Sequence, residues 1–187
     1  MDLLDAHGQA MAVFDRAMRA VGPADWDTPT PCTDWSVRDL VHHLVSEQLW
    51  VPDLLAGRTI AEVGDRFDGD VLGSDPAGVW ASASSTARAA WLAPGATERT
   101  VHLSYGDEAA TEYGWQMTTD LAVHGWDLAT ALHRDAGIPD DLAGALLAYI
   151  EPQVPAWSGT GMFAAAVPVP ADAPAATRLV GLLGREP

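Results

Sequence analysis

A chain of 187 residues is long enough for one domain with a sizeable apolar core. Its formal net charge of −16, with ten Arg and no Lys, argues against nucleic acid, whose binding needs cationic contacts to phosphate, and against docking on an anionic membrane. No stretch approaches the ~20 apolar residues of a membrane-spanning helix, and the acidic start from Met1 to Asp5 lacks the basic opening of a signal peptide, so a cytoplasmic protein is expected.

The elements follow from periodicity and breakers. Leu3 to Val21 reads as a first helix, with Leu4, His7, Met11, Phe14 and Met18 on one stripe, ended by Gly22-Pro23. A loop rich in Pro, Thr and Asp follows to Asp34, with Trp26 and Trp35 expected to pin it to the helices. Cys32 is the only cysteine, so no intrachain disulfide forms. Thr33 and Asp34 look like the cap of the next helix, and a thiol near a helix start can be activated, but a small packed hydrophobe is the commoner outcome. The second helix runs from about Ser36 to Ala56, with Pro52 expected to kink or end it. Gly57 to Ser74 reads as a long polar connection. Asp75-Pro76 starts a third helix through about Leu92, stopped by Pro94-Gly95. Arg99 to Tyr105 alternates like a short strand, with a turn at Gly106-Asp107. A long helix from about Thr111 to His133 comes next, then a fifth from about Asp140 to Gln153. The Pro-rich tail reads as largely irregular, with a last short helix over Ala175 to Leu183. Four main helices joined with one long crossover predict an all-α bundle in a single domain spanning 1–187, with 94–110 as a β excursion.

The run from Asp120 to Asp127 carries the chemistry. Residues four apart on a helix differ by about 40° and about 6 Å along the axis, so Asp120 and His124 leave one face at adjacent turns. Asp127 shares that face. Three polar groups on one stripe of an apolar helix must be exposed, mutually satisfied or bound to something. A lone His in such a helix is more often a packed core residue than a ligand, and an Asp–His pair at this spacing also stabilises helices by itself. A metal ion becomes the sharper reading if a third ligand faces the pair from another helix. The second helix offers one: His43 sits between Leu40 and Leu44 on the inner side, whereas His42 points about 100° away. Glu47, one turn beyond His43, is either a solvated charge or a supporting group or base. His7 reads as packed, His102 as a strand residue and His133 as exposed, while Trp126 points away from His124. Tyr105 and Trp115 are candidates to line a pocket.

The segments Thr30 to Leu44 (TPCTDWSVRDLVHHL) and Asp120 to Ala129 (DLAVHGWDLA) resemble the N-terminal domain of mycothiol-dependent maleylpyruvate isomerases, within the wider DinB/YfiT-like superfamily of metalloenzymes. The ending Leu182 to Pro187 (LLGREP) looks like a single-domain actinobacterial metal-binding branch of that group. The resemblance implies a four-helix bundle holding a divalent metal on His43, Asp120 and His124. Here Asp120 stands where the isomerases carry Glu and other members His, and Asp is shorter by one methylene. The isomerase's separate C-terminal domain has no counterpart, so its substrate does not carry over.

Two imidazoles and a carboxylate suit Zn²⁺ first, with Ni²⁺, Fe²⁺ and Mn²⁺ as alternatives. A bound ion would lower the pKa of a coordinated thiol or water. The leading expectation is a metal-dependent thiol transferase or isomerase-like enzyme, using mycothiol or another low-molecular-weight thiol and a small-molecule electrophile, with Cys32 placed away from the metal. The rivals are a structural metal-binding protein, a hydrolase with Glu47 or Asp127 as base, and a metal-free binding module. A homodimer is left open.

Overall fold

Local chemistry sets where each helix begins. In the computed structural model, which describes residues 1–154 and 164–187, helix α1 (Leu3–Met18) starts at Asp2, whose carboxylate accepts from the Asp5 amide. Helix α2 (Val37–Leu55) starts with a capping box between Ser36 and Asp39. The cap is therefore Ser36, not Thr33 or Asp34; Asp34 instead adopts a left-handed φ of 67° in the preceding turn. Pro52 does not end α2. The helix continues to Leu55, because a proline in the last turn forfeits only one amide donor. The connection after α2 contains one more helical turn, α3 (Ile60–Val63), nucleated by a second capping box between Thr59 and Glu62. Asp75 caps α4 (Pro76–Trp91) through the Gly78 amide, with Pro76 in the first turn.

The β excursion is a hairpin, with β1 (Thr100–Leu103) antiparallel to β2 (Gly106–Ala109). Gly106 and Asp107 thus belong to a strand, and the turn lies at Ser104-Tyr105. Charged β2 has no apolar alternation to betray it. It is held by register, with His102 opposite Asp107 and their Nδ1 and Oδ1 atoms 2.7 Å apart. Helix α5 (Ala110–Ala131) follows directly and ends near His133, whose φ of 53° is left-handed. Helices α6 (Asp140–Ile150) and α7 (Ala175–Leu182) follow. The irregular tail expected between 155 and 163 lies outside the described residues.

Among the described residues the protein is mostly helical with one small two-stranded sheet. Helix α1 lies along α5 and α2 along α4, while α2 also touches α5 and α6 packs on α7. Phe14, Leu40, Leu44, Trp80, Leu121, Leu128 and Leu146 are among the fully buried residues of the main core. Each such side chain contributes about 1.5–3 kcal/mol on burial. Helices α1 and α5 approach closely at Gly125, where a Cβ would lie 2.9 Å from Val13 Cγ1 and 3.1 Å from the Phe14 backbone nitrogen. That approach brings α5 in with its polar stripe directed toward α2. No helix among the described residues is long and apolar enough to cross a membrane.

Candidate metal centre

The capping box fixes the start of α2, and the helical phase from there carries His43 to the side facing α5. Its Nε2 lies 2.9 Å from Asp120 Oδ2. From α5 itself, His124 Nε2 lies 3.3 Å from Asp120 Oδ1. One nitrogen or oxygen from each of the three lies within 4.8 Å of the other two. Donors placed about 2.0–2.1 Å from one tetrahedral ion sit about 3.3 Å from each other. The two imidazole–carboxylate distances fall close to that edge, and the donor set is one that divalent first-row metals accept. The residues therefore fit an ion. The His124 side chain is 9% exposed, but His43 and Asp120 are 31% and 26% exposed, so the cluster is reachable from one side.

The back of His124 is built with equal care. Its Nδ1 lies 2.9 Å from Asp127 Oδ2. With that carboxylate accepting from Nδ1–H, Nε2 is the ring nitrogen directed at Asp120, and it would ligate an ion that displaces its proton. Asp127 is wholly buried, and Arg185 grips both its oxygens, through Nε at 3.1 Å and Nη2 at 2.8 Å. Trp35 covers the ligands, its ring 5.0 Å from that of His43 and stacked 5.5 Å from that of His124. Burial alone would raise the Asp120 carboxyl, but the facing imidazoles of His124 and His43 hold it far below the usual carboxylate range. Burial would lower His124, yet Asp120 and Asp127 push it up to about 9. The same contest with Asp120 raises His43. A pocket that draws protons onto two imidazoles in this way also favours a cation in their place.

Glu47 lies on the same side of α2 as His43, and burial and the charge of Asp120 raise its carboxyl while His43 opposes. His42 turns outward, its Nε2 2.7 Å from the Gly69 carbonyl. Cys32 departs from expectation: it is half-buried rather than a packed hydrophobe, and its Sγ lies within 4.8 Å of donor atoms of His124 and Asp127. It approaches from the Asp127 side, because the loop that ends at Trp35 folds over the cluster. Burial raises its thiol, with Arg185 opposing, so it is not an activated thiolate. His7 is packed against Trp91 and hydrogen-bonded through Nδ1 to Arg88 Nη1 at 3.2 Å. Tyr105 is 66% exposed and donates to Gln116, and Trp115 stacks on Tyr149. Trp126 borders a 350 Å³ depression with Asp135, Ile138 and Pro187 that contains none of the three candidate ligands. Trp35 and Arg185 were not singled out from the sequence as site residues. The buried charge of Asp127, which required a cation, was the one available signal for Arg185.

The helical protein thus carries an open His–Asp–His cluster between two helices, with donor atoms that could hold a metal ion. The chain belongs to the mycothiol maleylpyruvate isomerase N-terminal domain family, whose model matches residues 7–129. It is also 32% identical over 190 residues to uncharacterized proteins of two Mycobacterium tuberculosis strains, CDC 1551 / Oshkosh and ATCC 25618 / H37Rv, covering 99% of this chain and 98% of each of them. No solved structure matches.

Proposed function

We propose that this chain is a single-domain, DinB-like four-helix bundle that binds a divalent metal on His43, Asp120 and His124 and acts as a metal-dependent thiol transferase or isomerase-like enzyme. The convergence of those three side chains on one partly exposed point carries this reading. A purely structural ion is normally closed off by four protein donors, whereas three donors with an accessible edge leave a place for a reactant. The metal, Zn²⁺ by donor type, supplies one thing when bound: it makes a thiol or water nucleophilic at neutral pH. The rest belongs to the chain. With an ion bound, His43 and His124 would ligate through deprotonated nitrogens, Asp120 would contribute the charge, and Asp127 would hold His124 by its Nδ1–H. Trp35 shields one flank of the imidazoles from water. Glu47, one helical turn from His43, is the candidate to take the thiol proton. Cys32 faces the rear of His124, so the thiol enters in trans, as mycothiol or a chemical relative, to meet a small electrophile.

Elemental analysis of untagged protein, followed by assays of the metal-loaded form with mycothiol and a panel of electrophiles, tests this. One bound ion and a rate above that of the apo protein, lost in H43A and D120N, is the expected result. No bound ion, or no rate across a broad panel, overturns the metal or the catalytic half respectively.

A further inference from the structure

Asp127 cannot meet a reactant, because it is wholly buried behind His124. Its surroundings nevertheless are the most fully bonded on the α5 stripe. Oδ2 accepts from both His124 Nδ1 at 2.9 Å and Arg185 Nη2 at 2.8 Å, and Oδ1 accepts from Arg185 Nε at 3.1 Å. Arg185 lies 58 residues beyond Asp127, past the end of α7 and outside the family-matched residues 7–129. It is anchored further: Nη1 bonds to the Leu183 carbonyl at 2.9 Å, and its amide bonds to the Val180 carbonyl at 2.9 Å. At 8% exposure this arginine is no cation for an incoming substrate. It is committed to one carboxylate.

We propose that Arg185 is a positioning residue of the metal centre, holding Asp127 so that Asp127 can orient His124, and that docking of the C-terminal segment and occupancy by the ion therefore favour each other. Without the guanidinium, a wholly buried carboxylate would keep one hydrogen bond, from His124, and lose the two-point counter-charge that fixes its plane. It would rotate toward water or draw one in, and the Nδ1 contact that aims His124 would go with it. Planar two-point geometry is what sets the carboxylate's plane, and Lys cannot reproduce it. Coupling of this kind is reciprocal: whatever the tail adds to ion affinity, the ion adds to the stability of the tail. The inference rests on His43, Asp120 and His124 being the ligands.

Zn²⁺ affinity is measured by chelator competition for the wild type, H43A, R185K, R185M, D127N and the D127N/R185M double variant. Loss of a partner behind a metal-bound His weakens binding by about 10- to 100-fold, which is the expectation for R185M, with R185K intermediate. In the D127N background R185M adds less than about twofold, because the effect runs through Asp127. Hydrogen exchange of the wild-type chain gives a readout free of variant folding: Zn²⁺ slows the Arg185 amide and its neighbours. Wild-type affinity in R185M, or no slowing in the tail, overturns the coupling while the ligand assignment stands. If the wild type binds no Zn²⁺, or H43A binds it equally well, the ligand assignment fails and the coupling with it.

Discussion

Replacing Gly125 with Ala puts one methyl group into a close contact between α5 and the backbone of α1. The new Cβ would lie 2.9 Å from Val13 Cγ1, 3.1 Å from Phe14 N and 3.2 Å from Phe14 Cα. Optimal carbon contacts are about 3.5–4.0 Å, so α1 must retreat by several tenths of an ångström, and two of the three obstacles are backbone. Overpacking of this kind costs about 1–3 kcal/mol. The helical gain of Ala over Gly returns up to about 1 kcal/mol, leaving a net loss of about 1 kcal/mol. Gly144, exposed in α6, is the control: a Cβ there meets nothing within 4 Å, so Gly144→Ala should stabilise by about 0.5–1 kcal/mol. The same atom is added to a helix in both variants, so their difference isolates the packing cost at about 1–3 kcal/mol. Urea unfolding of the metal-free proteins, followed by circular dichroism, measures it. Equal midpoints for the two variants would refute the close α1–α5 approach. Because Gly125 adjoins His124, Gly125→Ala should also weaken metal binding, whereas Gly144→Ala should not.

Zn²⁺ at a hundredfold excess over its Kd should stabilise the wild type by about 2.7 kcal/mol, equivalent to about 5–11 °C in Tm. Scanning fluorimetry should show that rise reversed by chelator and absent in H43A and D120N; a full rise in either variant would remove that residue from the ligand set. His7 offers a pH signature away from the metal. Burial, with Arg88 adding to it, depresses its imidazole from 6.5 to about 3, so between those values the unfolded chain binds a proton that the folded chain refuses. Stability from this residue is complete above pH 6.5 and falls by about 1.4 kcal/mol per pH unit as pH drops toward 3. A His7→Leu variant should show a shallower fall over that window in urea titrations, and an unchanged slope would be inconsistent with a buried neutral His7. Since burial raises the Cys32 thiol, iodoacetamide should label it more slowly at pH 8 in the folded protein than in urea. Equal rates would mean that the loop over the site is open.

Much of the site was legible because its geometry is local. The four-residue step from Asp120 to His124 fixes their common face on any α-helix, and Leu40 and Leu44 flanking His43 mark which of two adjacent histidines turns inward. Caps and breakers such as Asp75-Pro76 and Pro94-Gly95 placed the long helices for the same reason. What escaped had no periodic signature. Strand β2 is charged and held only by pairing with β1, α3 is a single turn inside a polar connection, and the thiol of Cys32 reached the cluster only through the path of its loop. Trp35 over the imidazoles and Arg185 behind Asp127 are likewise contacts between distant segments. Backbone periodicity within a helix dictates which residues share a face, and so the amino-acid order by itself paired Asp120 with His124 and turned His43 rather than His42 inward, whereas the meeting of His43 with that pair is a contact between helices. Which loop covers them and which arginine neutralises the buried carboxylate depended on how separate segments fill the space around α5, and only the packed chain decides that.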